Sequence, residues 1–192
     1  MAKKNDKISL SGRFQHKYLK NFVKDDKGEW VYTGDHYRYT NKDIPEKKMH
    51  KHLLLLSLAG VTGAAGGGLI KAPGTIDAWY IILPLALTLL FSAVMLYKSI
   101  SLYFSKSPLR DYDYKSNVET PQVFNLFAMT CGALSMITEI GHVIFFGTEG
   151  LVLGMIAFLI CEGIVCLSAV YWRKNMNICV YEREEWENEK VS

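Results

Sequence analysis

Charge is what this chain withholds. Residues 53–70 and 78–97 contain no Asp, Glu, Lys or Arg, 120–146 contains only Glu139, and 150–172 only Glu162. A helix at a protein–water boundary needs a polar face, so four such stretches exclude an ordinary soluble bundle with a solvated exterior. Cysteine is scarce too: Cys131, Cys161 and Cys166 lie inside uncharged stretches and Cys179 beyond the last one. With no C-x-x-C pair and none placed for an extracellular bridge, they exclude a disulfide scaffold and read as small apolar packing residues. Walker, Rossmann and zinc-finger patterns are missing, as are internal repeats and low-complexity blocks. No Ser/His/Asp constellation is recognisable, so no enzyme is expected, and neither a cofactor nor a nucleic-acid partner.

What is present alternates between two solvents. The overall 49% of hydrophobic residues resembles a soluble domain, but the average hides the segregation. Each uncharged stretch is near or above the ~18 to 20 residues needed to cross a ~30 Å hydrocarbon core. The expected fold class is an all-α membrane protein: a four-helix transmembrane bundle with a small N-terminal cytoplasmic β-meander. The expected segments are an N-terminal region over 1–42, a helical domain over 43–172 and an acidic tail over 174–192. Helices are expected at about 43–70, 77–104, 120–146 and 149–173. Thirteen Lys and Arg precede residue 53, four lie between Lys98 and Glu119, and four follow Trp172. Lys71 alone falls in the first connection, so 21 of the 22 basic residues lie on one side of a four-span arrangement. The positive-inside rule then predicts both termini in the cytoplasm, in a bacterial cytoplasmic membrane. The first apolar run begins only at Leu53, so no cleaved leader is expected.

Residues 12–40 carry Phe14, Tyr18, Phe22, Trp30, Tyr32, Tyr37 and Tyr39, interrupted by turn chemistry at 25–28 and at Gly34-Asp35. That pattern predicts a two- or three-stranded antiparallel meander, too small to stand alone and so packed on the membrane, a loop or a partner. Asp43 is expected to cap the first helix, with Pro45 in its first turn and Glu46 at the capping-box position. Lys47, Lys48, His50, Lys51 and His52 would sit at headgroup level, where each lysine favours anionic lipid. In the first span Ala59, Gly63 and Gly67 recur every four residues, as do Gly60, Ala64 and Gly68. Small residues at that spacing let another helix approach closely. Thr120-Pro121 is expected to start the third helix, Gly147-Thr148-Glu149 to form the whole link to the fourth, and Tyr171 and Trp172 to mark its exit.

Asn125, Ala128, Gly132, Ser135, Glu139 and His142 recur at three- and four-residue steps, a polar and small stripe on the third helix. At 1.5 Å per residue, Glu139 and Glu162 would lie roughly 10 and 18 Å from the outer end, about 8 Å apart in depth. A charge at mid-membrane costs ~2.5 to 3.5 kcal/mol, so each must be paired, hydrated or protonated. Glu139-x-x-His142 has metal-ligand spacing but occurs once, with no further ligand beyond Glu162, so no metal is expected. The leading expectation is a non-enzymatic accessory subunit or self-associating scaffold, assembling through the glycine face as a homo-oligomer or with other membrane subunits. The alternative is a small transporter or channel subunit in which Glu139, His142 and Glu162 line a proton or cation path, with Asn125 and Ser135 on the same stripe. Four helices and a membrane Glu make the chain similar to small multidrug transporters. The resemblance ends there, since these carboxylates lie in the third and fourth spans and a long N-terminal segment is added.

Overall fold

The computed structural model describes residues 22–24, 30–75, 77–148 and 150–184. Phe14, Tyr18, the 25–28 turn, Glu149 and the acidic end beyond Glu184 lie outside the described residues. Four helices dominate: α1 (Glu46–Leu69), α2 (Trp79–Phe104), α3 (Thr120–Phe146) and α4 (Val152–Ile178). Each is long and apolar enough to cross a membrane. They pack in a closed square, α1 on α2, α2 on α3, α3 on α4 and α4 back on α1.

The polarity of this square is inverted relative to a soluble bundle. Leu83, Ile137, Phe145 and Leu153 are all more than half exposed on the outside, while Ser57, Thr88, Ser92, Asn125, Glu139 and Glu162 are buried within. Apolar clusters close the two ends. One, at the sheet end, gathers Met49, Leu53, Leu102, Leu109, Trp172 and Met176, and the other gathers Ala72, Ala78, Ile81, Leu85 and Phe158.

The helix ends depart from the sequence expectations in three places. Asp43 does not cap α1: its N–H is taken by Asn41 Oδ1 at 2.9 Å, Pro45 holds the N-cap position, and no side chain caps the helix. Thr120-Pro121 opens α3 with Pro121 in its first turn, as expected, but the helical path starts further upstream. A single α-turn over Asp111–Tyr114 and a π-turn over Lys115–Glu119 run directly into α3. Pro121 has no N–H to donate, so the helix widens just before it, and both the Thr120 N–H and its hydroxyl donate to the Lys115 carbonyl, the hydroxyl at 2.7 Å. The α4 helix runs on to Ile178, five residues past the expected end, because Trp172 and Met176 are buried in the sheet-end cluster rather than placed at an exit. Between α3 and α4, Gly147 (φ 86°) and Gly150 (φ 81°) supply left-handed backbone that other residues adopt at a cost. The glycine-rich end of α1 stays helical through Leu69, braced by α4.

The strands give the two-stranded form of the expected meander and add a second sheet. β1 (Phe22–Lys24) and β2 (Trp30–Tyr32) form an antiparallel hairpin, but β3 (His36–Tyr39) leaves it. It becomes the centre of a second sheet, between β4 (Leu109–Arg110) from the α2–α3 connection and β5 (Tyr181–Glu184) from the tail. The start of the segment expected as an acidic tail is thus paired with β3 over four residues, from His36↔Glu184 to Tyr39↔Tyr181. The cause is amphipathic: Tyr37, Tyr39 and Tyr181 pack on the sheet-end cluster, Tyr37 stacking on Tyr114 at 3.9 Å. The opposite side carries the Arg38–Glu184 pair at 3.1 Å, and Arg183 meets Asp35 at 2.9 Å. These exposed pairs contribute little energy and mainly fix register.

Candidate functional site

The bundle axis carries a column of polar side chains with two carboxylates in it. Glu139 on α3 is fully buried. Its Oε1 accepts the Gly74 N–H at 3.4 Å, and its Oε2 has no hydrogen-bond partner. Gly74 lies in the α1–α2 link, which folds inward: Thr75 Oγ1 ties that turn by accepting the Ala72 N–H at 2.9 Å. A side chain at Gly74 would run into Ile81, and its first carbon would lie 2.8 Å from Glu139 Oε2 and 3.1 Å from the His142 ring. The glycine is therefore the price of bringing the link over Glu139.

His142, one turn on, is half-buried and directs Nδ1 to the Tyr80 hydroxyl at 2.7 Å. It makes no ion pair with Glu139. The Glu-x-x-His spacing thus yields two neighbouring but separately engaged groups. Among the described residues no three of His, Cys, Asp and Glu converge as a metal site would require.

Glu162 on α4 is fully buried, and neither carboxyl oxygen has a partner. Two glycines make its socket. A Cβ on Gly67 of α1 would stand 2.8 Å from Oε1, and one on Gly132 of α3 would stand 3.2 Å from Oε2. Leu85 and Thr88 of α2 line the same space, so all four helices meet at this carboxyl. Gly67, read from sequence as a packing position, also makes room for an acid.

The other small residues of α1 are spent inside the chain. Gly60 faces Ser168, and a Cβ on Gly63 would lie 2.8 Å from the Cys161 carbonyl oxygen. Ala64 is buried, Ala59 is half-buried, and Gly68 is exposed with open space where a Cβ would go. Gly60, Gly63 and Gly67 thus pack on α4, while Gly68 does not.

Below Glu162 the column continues. Asn125 Nδ2 donates to the Ala169 carbonyl at 3.0 Å, joining α3 to α4, and the Ser57 and Ser99 hydroxyls join α1 to α2 at 2.7 Å. Ser135 turns back on its own helix, donating to Cys131 O at 3.0 Å. A cavity of about 20 Å³ lies among Ser57, Ser92, Asn125, Ser168 and Trp172. That is room for one water, and Trp172, whose buried Nε1 has no protein partner, is among the lining residues. At the sheet end His50, expected at the headgroups, is instead buried and bonded through Nε2 to the Tyr181 hydroxyl at 2.8 Å. Lys47, Lys48 and Lys51 stay exposed around it.

Sequence reasoning found both carboxylates because a charge in an apolar run is conspicuous. It missed Tyr80, Gly74 and Trp172, whose parts depend on which helices meet. No protein-family model matches the chain, and no curated protein or solved structure matches it either.

Proposed function

We propose that this chain is a non-enzymatic integral membrane protein of four spans that carries protons along its axis, as a small transporter or channel subunit, with Glu162 and Glu139 as the carriers. The observation behind this reading is the pair of buried carboxyls, three of whose four oxygens have no partner. An apolar exterior places low dielectric on every side, where an unpaired carboxylate is strongly disfavoured and a protonated carboxyl fits its socket. Groups that must gain and lose a proton have reason to stay free of fixed counter-ions, whereas purely structural acids satisfy both oxygens. The basic residues on one side support an orientation with both termini inside a bacterial cytoplasmic membrane, and the exposed Lys47, Lys48 and Lys51 suit contact with anionic lipid there. Of the small residues that suggested a self-associating scaffold, Gly60, Gly63 and Gly67 meet α4 of the same chain and Gly68 stays open.

The test is dissipation of a pH gradient in liposomes containing the wild-type chain, Glu162→Gln or Glu139→Gln, with infrared difference spectra between acid and alkaline pH. Wild type should carry a protonated-carboxyl band that disappears at high pH and is absent in Glu162→Gln. Flux should fall to the empty-liposome level in that variant and drop partially in Glu139→Gln. A wild-type spectrum with no Glu162-dependent band at any pH removes the proposal.

A further inference from the structure

The sheet end contains a second polar space, unconnected with the carboxylate column. A pocket of about 560 Å³ opens between the last turns of α2 and the β3–β4 ladder. Antiparallel pairing places His36 directly opposite Arg110, and Lys106 enters from the α2–β4 connection. Ser101, Ser105 and Asn117 add hydrogen-bonding groups to the wall. Asp113 is the carboxylate among the lining residues, so two permanent cations outnumber it and the wall is positive.

These cations differ from their neighbours in one respect. Lys115, Arg38 and Arg183 are paired with Asp111, Glu184 and Asp35. Neither Lys106 nor Arg110 has a carboxylate within ion-pair distance among the described residues. Arg110 is steadied by the Tyr32 ring, 5.4 Å from its guanidinium carbon, which orients the planar head without neutralising it. Phe104 and Pro108 complete the lining, and Phe104 is 76% exposed at the foot of the apolar surface of α2.

We infer that this pocket binds a phosphate group, through Lys106 and Arg110 with Ser101 and Asn117 as donors. An arginine fork and a lysine point charge match phosphate oxygens, and the volume falls in the range of small-ligand sites. The phosphate has two sources, an anionic lipid headgroup whose chains lie along α2 past Phe104, or a free phosphate from solution. This site is separate from the lysines at the start of α1, and it stands whether or not Glu162 carries protons.

The experiment uses the full chain in detergent, with two probes. Native mass spectrometry measures retention of phosphatidylglycerol against phosphatidylcholine, and calorimetry measures binding of inorganic phosphate. Each basic group near an anionic surface is worth about fivefold, so Lys106→Gln with Arg110→Gln should weaken binding roughly 30-fold, and Lys106→Gln alone about fivefold. Lys106 lies outside the strands, so the single variant keeps the test sound if the double one misfolds. Lys174→Gln, an exposed charge on α4, should change binding less than twofold. Phosphatidylglycerol retention lost in the pocket variants assigns a lipid headgroup. Phosphate binding lost in them without lipid preference assigns a free phosphate. Binding of neither probe, or equal losses in Lys174→Gln, overturns the inference.

Discussion

Gly63→Ala and Gly68→Ala, five residues apart on one helix, should change stability in opposite directions. At Gly63 the added carbon would stand 2.8 Å from the Cys161 carbonyl oxygen and 3.1 Å from Val165 Cγ2. The first of these is backbone in the middle of α4, so relief requires the two helices to separate. Overpacking of that kind costs ~1 to 3 kcal/mol, offset by about 1 kcal/mol from replacing glycine inside a helix. The net expectation is a loss of up to about 2 kcal/mol. At Gly68 nothing lies within 4 Å, so the helix propensity acts alone and should stabilise by up to about 1 kcal/mol. Reversible unfolding in mixed detergent micelles measures both values, and light scattering of the same samples gives the mass of the protein. If Gly63→Ala left stability unchanged but lowered that mass, the small-residue face would join separate chains and the intrachain packing argument would be wrong. The same outcome would revive the self-associating scaffold.

Three further outcomes follow, the first two at the sheet end. Tyr181→Phe removes the hydroxyl bonded to buried His50 and should cost ~1 to 3 kcal/mol in the same unfolding assay, while adding His50→Phe should recover much of it; additive losses would refute the coupling. Burial, with Glu46 nearby, pushes the Cys179 thiol up from its ordinary value near 9 to about 12. Thiolate is the reactive form, so at pH 8 alkylation should be about a thousandfold slower than in the unfolded chain. The sign for stability is a loss with rising pH: the contribution of the neutral thiol is intact below pH 9 and disappears as pH climbs towards 12. Alkylation at the unfolded rate would show that the thiol is not buried. A reporter enzyme that works only outside the cell should be inactive when fused after Ser192, and an active fusion would contradict the orientation drawn from 21 basic residues.

The four helices were legible because Lys and Arg cluster between long uncharged stretches, a signal that depends on composition rather than on contacts. Glu139 and Glu162 were legible for the same reason. Their surroundings were not: Gly67 and Gly132 look alike as small residues whether they admit a helix backbone or a carboxyl, and only the meeting of α1, α3 and α4 distinguishes the two. The tail was misread because Tyr-Glu-Arg-Glu is too polar to announce a strand, and its partner β3 lies more than 140 residues away. The start of α3 was legible because the missing N–H of Pro121 suits a first turn, but the π-turn before it was not. A π-turn that absorbs the same defect has no distinct sequence signature.

The second sheet also acts as an arithmetic check on how the chain is threaded. β3 comes before α1, β4 between α2 and α3, and β5 after α4, so successive strands are always separated by two helices. With the four helices spanning a bilayer as proposed, the three strands can hydrogen-bond only if they emerge on the same face of it, which requires an even number of crossings between each pair. A chain in which one helix failed to insert would strand β3 or β5 on the wrong side, leaving the aromatic cluster beneath them uncovered. Because β5 follows α4, the sheet closes only after all four described helices have been made.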